Sequence, residues 1–357
     1  MNAPFATAAG LAVRTADLAD RAELRRIEAF VAEHPDAQLF HRPAWSRAVE
    51  TGCRQRSHYL LCEDGPGRLR GLVPLSEIRS PLFGNSMVSA GFGVGGGILA
   101  ESEPAAAALA SFAWALAEDR GCSEVELRGG PAPGPGWEER GGIYAGFAAE
   151  LPQGDEAILN AIKKRQRAEV RRALGYDLDY RFGRGAADLD AHYRVYSASV
   201  RNLGTPVFPR ALFEAMLAEF GEDADVLTVW KAGRPISTVL SFYFKGSVLP
   251  YWGGGTAEAR HWRANESLYY ALMCHASRRG CTRFDFGRSK IGTGAYAFKK
   301  NWGFEPQPLV YAVRSLGGAE RSVNPEDPKY RLKVALWKKL PLPVANLIGP
   351  AIARGLG

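Results

Sequence analysis

The chain has 357 residues, of which 46% are apolar and 23% are charged, and its formal charge is +7. This length exceeds what one hydrophobic core usually organises, so we expect two domains. The composition excludes the disordered and fibrous classes of protein. The positive charge favours an anionic partner, such as RNA, a nucleotide-linked substrate, CoA or an acidic membrane surface, without choosing among them.

Cysteine and histidine residues show no arrangement typical of a metal centre. The five cysteines have no repeating short spacing and the six histidines are scattered, so we predict neither a disulfide framework nor a metal site. No serine triad is apparent. The N-terminus does not resemble a signal peptide, and no apolar run is long enough to span a membrane, so we expect a cytoplasmic protein.

The first predicted elements are helices over residues 17–33 and 43–51. An apolar strand then meets the Gly-containing turn at 64–67 and a returning strand, which indicates a β-hairpin. A third strand ends in the glycines of 91–97. The helix that follows stops at Gly121, a residue suited to the left-handed position after a helix. Its apolar residues recur at helical spacing: Leu109, Phe112, Ala113 and Leu116.

The same order of elements returns in the second half of the chain. Its predicted elements are helices over 156–174, 187–201 and 209–220, a hairpin around 231–234, a strand ending in the glycines of 252–256, a helix that stops at Gly280 and a strand at 284–286. A duplicated unit of this kind defines the architecture before any residue is assigned a role.

The order of hairpin, strand, helix and strand resembles the core of the GNAT acyltransferase fold, and two such units in tandem resemble the FemAB superfamily. The likeness is nearest to FemAB-like proteins associated with exosortase (PEP-CTERM) exopolysaccharide systems. It implies an α/β (α+β) fold of two tandem GNAT-like domains, each a mixed sheet flanked by helices. The predicted ranges are 1–152, 153–318 and a basic and apolar tail at 319–357. A generic α+β duplication is the alternative.

The segment FDFGRSKIGTGAYAFKKNWGFEP at 284–306 resembles the motif that ends the FemAB domain. The resemblance implies that Phe298 and Lys299 line the transfer site, where the lysine stabilises the oxyanion formed when an amine attacks an ester. Acyl transfer requires such a fixed positive charge in a water-poor cleft. Without the motif, Lys299 would be interpreted as a surface lysine.

Asp285 and Tyr296 complete the predicted catalytic set, and Arg288 is predicted to bind substrate. Asp285 can accept a proton from the attacking amine or orient it, and alternatively it pairs with Arg288 or caps a turn. The Tyr296 hydroxyl can bind donor or acceptor, whereas its ring can also simply pack.

Glycines end the third strand of each copy, where a GNAT fold places its phosphate-binding turn. We predict substrate binding by Trp252, Gly253, Gly254 and Gly255. The acetyl-CoA signature is missing, because after Arg260 the positions for Gly and for Gly or Ala hold Arg263 and Asn265. This departure makes CoA a less expected donor.

The pattern FHRPAWSRAV at 40–49 resembles the start of the family's first domain, and its Trp45 is predicted to bind substrate. Two basic residues that peptidoglycan-bridge relatives direct at UDP phosphates fall on Val49 and Phe208, and an acidic residue falls on Gly129. A UDP-linked muropeptide is therefore not the expected acceptor.

Two basic segments suggest contact with a polyanion or a membrane. Residues 163–172 carry six basic residues against one acid, which indicates either a solubilising face or a site for tRNA or another polyanion. The residues predicted to bind the polyanion are Lys163, Lys164, Arg165 and Arg167. The tail from Lys329 combines basic residues with an interrupted apolar stretch, so it can contact an anionic membrane or dock on the body.

We therefore expect an acyl or aminoacyl transferase that forms an amide on an amine of a cell-envelope glycan or lipid precursor, without a covalent enzyme intermediate. No bound cofactor is expected, and the donor is aminoacyl-tRNA or acyl-CoA. One alternative is an acyl-CoA-dependent N-acyltransferase of exopolysaccharide biosynthesis. The other is a non-catalytic GNAT pair that binds a polyanion or the inner face of the membrane.

Overall fold

The computed structural model describes residues 5–6, 10–318 and 328–357, so the first part of the predicted tail, 319–327, lies outside the described residues. The chain forms two compact units. The first contains the described residues within 1–141, 310–324 and 351–357, and the second those within 142–309 and 325–350.

The elements follow the chain in the predicted alternation of strands and helices. The strands are β1 (Phe5–Ala6), β2 (Ala12–Thr15), β3 (Arg56–Glu63), β4 (Leu69–Ser80), β5 (Gly84–Ser89), β6 (Leu99–Ala100), β7 (Glu124–Arg128), β8 (Glu138–Arg140), β9 (Tyr144–Glu150), β10 (Asp179–Gly183), β11 (Ala224–Lys231), β12 (Arg234–Phe244), β13 (Ser247–Gly255), β14 (Arg283–Lys290), β15 (Gln307–Pro308) and β16 (Tyr311–Ser315). The helices are α1 (Arg21–Glu33), α2 (Pro43–Cys53), α3 (Glu103–Asp119), α4 (Asp155–Ala161), α5 (Lys164–Leu174), α6 (Ala186–Leu203), α7 (Arg210–Phe220), α8 (Ala257–His261), α9 (Ala264–Arg278), α10 (Gly294–Trp302), α11 (Pro328–Lys339) and α12 (Leu342–Ala353).

The first unit is built on a mixed sheet with the strand order β1-β2-β3-β4-β5-β7-β16-β8, in which β6 also pairs with β4. Strands β5 and β7 are parallel, and the other pairs are antiparallel. Helix α3 begins where the Ser102 side chain accepts from the Ala105 N–H, a favourable N-cap. Its alanine-rich face packs with Leu60 and Val73 in one buried core.

The second unit repeats this plan, with the strand order β10-β11-β12-β13-β14-β9-β15. Its single parallel pair among the described strands is β13 with β14. Helix α9 contributes Leu268 and Leu272 to a core that also contains Phe147 and Phe284, all at most 1% exposed. Both halves of the chain thus show the predicted hairpin, strand, helix and strand.

The units differ from the predicted ranges because each sheet includes a strand from the far side of the predicted boundary. Strand β9, predicted to belong to the first domain, pairs with β14 and β15 in the second sheet. Strand β16, predicted to belong to the second, pairs with β7 and β8 in the first. Open strand edges carry unpaired N–H and C=O groups, and these inserted strands satisfy them.

Two predicted segments also differ in detail. The helix predicted over 156–174 is divided into α4 and α5, because Ile162 and Lys163 have extended backbone angles and Ile162 is buried in the core. In the tail, the Lys338 carbonyl accepts from Arg201 and the Asn346 amide donates to Ser197, so this part of the tail docks on α6. Among the described residues, no helix is long and apolar enough to cross a membrane.

Candidate active site in the second unit

A β-bulge in β14 shapes the centre of the site. The β14–β9 pairing shifts register between Asp285 and Arg288, because β14 contains one more residue than β9 at this point. Gly287 supplies the left-handed backbone conformation, with φ +66°, that such a bulge favours. The bulge turns two successive backbone carbonyls, those of Gly287 and Arg288, towards α10.

The side chain of Lys299, in α10, donates hydrogen bonds to both of these carbonyls. Its Nζ atom donates to the Gly287 oxygen at 3.2 Å and to the Arg288 oxygen at 2.9 Å. The ammonium also lies 5.5 Å from the centre of the Phe147 ring and 5.9 Å from that of Phe286. An ammonium has three donors, and the third has no hydrogen-bond acceptor among the described residues.

Burial in this aromatic setting lowers the pKa of Lys299 to about 8, while the charge of Asp285 acts in the opposite direction. Removing water disfavours the charged form of an amine. Lys299 is therefore a partly desolvated cation at neutral pH, rather than the surface lysine that its Lys-Lys context alone would indicate.

Asp285 takes the turn-capping role that the sequence left open, because its carboxylate accepts from the Gly287 N–H at 2.8 Å. Burial raises the pKa of Asp285, and the Gly287 hydrogen bond and the charges of Arg283 and Lys299 oppose the shift. A carboxylate with a raised pKa is a stronger proton acceptor. The same side chain thus holds the bulge and remains chemically suited to act as a base.

The other predicted residues of the motif surround this centre. Tyr296 packs edge-on against Phe147, with ring centroids 5.2 Å apart. Phe298 packs against Phe286 and is partly buried. The Arg288 guanidinium lies 4.5 Å from the centre of the Tyr144 ring. The structure therefore gathers Asp285, Arg288, Tyr296, Phe298 and Lys299 in one region of the second unit.

Strands β13 and β14 diverge beside this centre. Their parallel pairing covers only Ser247 with Arg283 and Val248 with Phe284, although β13 continues to Gly255. Beyond Val248, the edge of β13 that faces β14 has no strand partner among the described strands. Such an edge presents backbone N–H and C=O groups that can bind an extended ligand.

The predicted glycines lie at the end of β13, paired with β12. A Cβ atom at Gly254 would lie 2.6 Å from the Ser199 Cβ of α6, and one at Gly255 would lie 2.9 Å from the Ala259 Cβ of α8. Gly253 is confined in the same way by Val239 on the neighbouring strand. Close packing therefore accounts for these glycines, and the open strand edge is the part that remains available to a ligand.

The two predicted tryptophans do not join the lysine centre. Trp252 is 5% exposed and packs edge-on against Phe213 and Phe242. Trp45 lies in the first unit, fully buried, and its indole N–H donates to the Gly91 carbonyl at 3.0 Å. Both positions are those of core residues.

The four predicted polyanion-binding residues fall into two pairs. Lys163 donates to the Lys300 carbonyl at the end of α10, at 3.2 Å, and Arg167 donates to the Asn160 carbonyl, at 2.9 Å. Lys164 and Arg165 are exposed. Only the second pair is thus presented by α5 to solvent without a backbone hydrogen bond from its side chain among the described residues.

Phe147 and the Gly287 carbonyl contact Lys299 in the candidate site, and sequence reasoning missed both. Phe147 precedes the predicted domain boundary, and only the β9–β14 pairing brings it under Lys299. The glycine in FDFGR was a visible signal for a bulge, but nothing in the motif linked it to the lysine. Among the described residues, no group of three His, Cys, Asp or Glu side chains is arranged to hold a metal ion.

Comparison with known proteins bears on the fold and on the class of domain. Residues 160–300 match the family model described as acetyltransferase (GNAT) domain. No curated protein matches the sequence. The fold is similar to the crystal structure of FemX, with a TM-score of 0.64 and 15% identity over 87% of this chain and 98% of that one.

Two further structures have the same fold at low sequence identity. A tandem GNAT protein from the clavulanic acid biosynthesis pathway has a TM-score of 0.57 and 14% identity, over 87% of this chain and 100% of that one. L-PGS from Bacillus licheniformis has a TM-score of 0.52 and 12% identity, over 88% and 97%. The expected fold of two tandem GNAT-like units is therefore confirmed. The expectation of an acyltransferase is confirmed by the match to an acetyltransferase domain.

The pKa of Lys299 offers a direct test of the site. Lys299 is expected to titrate near pH 8, so its positive charge is present below that pH and is lost as the pH rises through it. Asp285→Asn removes a charge that favours the ammonium, so the pKa should fall further. NMR titration of the Lys299 Cε resonance measures this pKa in the wild type and in the Asp285→Asn variant. Asp177→Asn, at an exposed carboxylate of the same unit, should leave the value unchanged, and an equal response to both substitutions would contradict this electrostatic account.

The packing at the end of β13 predicts a loss of stability for Gly254→Ala. The new methyl group would overlap Ser199, and overpacking of this kind typically costs about 1–3 kcal/mol. Gly65→Ala is the matched control, because a Cβ there meets nothing within 4 Å and should change the stability by no more than about 0.5 kcal/mol. Urea unfolding compares the two, and equal stabilities would show that α6 does not restrict this strand.

Proposed function

We propose that the second unit transfers an acyl or aminoacyl group from an activated ester to an amine, forming an amide without a covalent enzyme intermediate. The observation that carries this proposal is the half-buried Lys299 ammonium, which is held by two carbonyls and keeps one N–H without an acceptor among the described residues. A positive donor fixed in a desolvated site stabilises the oxyanion of acyl transfer.

The reaction follows from the groups at the centre. The amine attacks the carbonyl carbon of the donor, and the carbonyl oxygen becomes negative and accepts the free N–H of Lys299. Asp285 takes the proton that the nitrogen loses. The tetrahedral intermediate collapses, the bond to the leaving oxygen breaks, and that oxygen takes the proton from Asp285, so amide and alcohol are released and Asp285 is again a carboxylate.

The residues at the start of helix α9 favour an aminoacyl ester over acyl-CoA as the donor. Arg263 stands where the CoA signature has glycine, and its guanidinium lies 2.6 Å from the Glu169 carboxylate. The first turn of α9 also carries Glu266, whose charge opposes a phosphate at this helix N-terminus. The exposed Lys164 and Arg165 are suited to the phosphates of a tRNA.

Acyl-CoA is the second candidate donor, and the match of residues 160–300 to an acetyltransferase domain favours it. The open edge of β13 is suited to an extended chain such as pantetheine, through backbone hydrogen bonds. In this form the protein would be an N-acyltransferase of exopolysaccharide biosynthesis, in the setting of exosortase (PEP-CTERM) systems.

The acceptor that we propose is an amine on a cell-envelope glycan or lipid precursor, reached at the inner face of the membrane. The lipid in the name of another structure of similar fold, the C-terminal domain of a putative lysylphosphatidylglycerol synthetase from Agrobacterium fabrum, supports this class of acceptor. The tail supports a peripheral membrane contact, because it exposes large apolar side chains beside lysines. These residues are Leu336, Leu347, Ile348, Lys338 and Lys339.

Assays that supply one donor at a time separate the two candidate donors. Amide formation on an amino-sugar or aminolipid acceptor is followed with purified aminoacyl-tRNA or with a panel of acyl-CoAs. Lys164→Ala/Arg165→Ala should weaken aminoacyl-tRNA use and leave acyl-CoA use unchanged, and Arg21→Ala/Arg25→Ala, at two exposed arginines of the first unit, is the charge-matched control. Activity with acyl-CoA alone would overturn the aminoacyl donor. Activity with neither donor would favour a non-catalytic adaptor.

Loss of the Lys299 ammonium should remove most of the catalytic rate. Lys299→Ala is expected to lower kcat by about 10²–10³, the usual effect of losing one oxyanion donor, with a smaller change in KM. Lys300→Ala, at the exposed neighbouring lysine, should stay within about twofold because it leaves this donor intact. Steady-state kinetics on variants with unchanged circular dichroism would reject the role of Lys299 if both substitutions had the same effect.

A further inference from the structure

A strongly basic cavity lies in the first unit, and none of its lining residues belongs to the proposed transfer site. Its volume is about 440 Å³, and its charged lining consists of Arg54, Arg56, Arg79, Arg120, Arg354 and Glu77. Strand β3 begins here, β4 ends here and α3 ends here. Because Ser80 of β4 pairs with Gly84 at the start of β5, the cavity lies at the opposite end of β5 from the glycines of 91–97.

The only carboxylate of this lining is already neutralised within the protein. One Glu77 oxygen lies 2.8 Å from His58 Nε2, and the other accepts from Arg79 Nε. Glu77 is 3% exposed. Four guanidinium groups of the cavity therefore have no carboxylate of the lining as a partner.

These guanidinium groups have N–H donors that no acceptor among the described residues uses. Arg54 and Arg56 are exposed, and neither has a side-chain hydrogen bond or ion pair in the described part of the chain. The Nε atoms of Arg120 and Arg354 are buried and lack a hydrogen-bond partner among the described residues, although Arg120 Nε lies 3.8 Å from the exposed Asp119 carboxylate. Buried donors without acceptors are rare in native proteins.

The surroundings of His58 show the same excess of positive charge. Desolvation lowers the pKa of this buried imidazole, and the charges of Arg120 and Arg56 lower it further, against the effect of the hydrogen bond with Glu77. The positive charges of the arginine side chains that line one cavity repel one another. An anion in the cavity would relieve that repulsion and accept the unused N–H groups.

A larger cavity of about 880 Å³ adjoins this one, and Arg56 and Arg120 line both. Its lining mixes arginine with the carboxylates of Asp17, Glu50 and Asp119, so it is suited to a polar, uncharged group rather than to a second anion. The pair of cavities can therefore hold one molecule with a charged end and a hydroxyl-rich body.

We propose that the arginine cavity of the first unit binds the phosphate groups of a small diphosphate-bearing molecule, whose polar remainder lies in the larger cavity. Guanidinium forks match phosphate oxygens in geometry and charge. The exposed guanidinium groups of Arg54 and Arg56 can contact a phosphate that enters the cavity, and Arg120 and Arg354 add positive charge to its wall. A cavity of about 440 Å³ fits a compact group of this kind better than a nucleic acid or a membrane surface.

The test is a calorimetric titration of the full chain with inorganic pyrophosphate at low salt. We expect saturable binding to one site, and the double substitution Arg54→Gln/Arg56→Gln should weaken it at least about tenfold, because two charge-assisted contacts are lost. Neither side chain supports the fold through a hydrogen bond, so the variant should unfold at the same temperature as the wild type. Arg25→Gln, at an exposed arginine outside both cavities, should bind as the wild type does.

Three results would overturn the proposal. They are the absence of saturable pyrophosphate binding, equal affinity in wild type and double variant, and binding of the wild type to phosphatidylglycerol vesicles that the double variant loses and that pyrophosphate does not displace. As a second measurement, pyrophosphate should raise the unfolding temperature of the wild type by mass action. No acyl donor or acceptor is needed, so failure here would leave the proposed transfer reaction untouched.

Discussion

The position of a single buried ammonium organises the candidate active site. Lys299 can remain charged in an aromatic setting only because the bulge at Gly287 directs two carbonyls at it. The bulge in turn depends on the hydrogen bond between Asp285 and the Gly287 N–H. The proposed base, the proposed oxyanion donor and the bulge are therefore one connected set of contacts. Their geometry leaves one N–H of Lys299 without an acceptor among the described residues, as the proposed acyl transfer requires.

The same set of contacts involves β9, the strand of the second sheet that lies outside its predicted range. Strand β9 supplies both the partner against which β14 forms its bulge and the Phe147 ring beneath the ammonium. On its other side, β14 pairs with β13 at only two positions, so an open strand edge lies beside the centre. The pairing of these three strands thus places an open strand edge, the proposed site of an extended donor, next to the Lys299 ammonium.

The two halves of the chain share an order of elements but have different polar sites. In the second unit, a strand, a bulge and α10 follow the last helix of the repeat, and they carry the lysine centre. In the first unit, the corresponding strand β7 leads into the Gly- and Pro-rich residues 129–137, and the basic residues gather instead where α2, α3 and β4 end. Duplication preserved the apolar pattern that builds the core, whereas each copy has its own charged residues.

The sequence by itself determined the repeat and the two sheets with their helices, and it singled out Lys299 as a candidate, because apolar periodicity, turn glycines and a compact motif are local patterns. It also singled out Trp45, Trp252 and the glycines of β13, but large or small residues at such positions serve packing equally well, and the structure shows them packed. Only the tertiary structure decided which strand lies under Lys299, where β13 and β14 separate, and that arginines from four separate segments surround one cavity. Each of these depends on pairing between residues far apart in the chain, which no local pattern encodes.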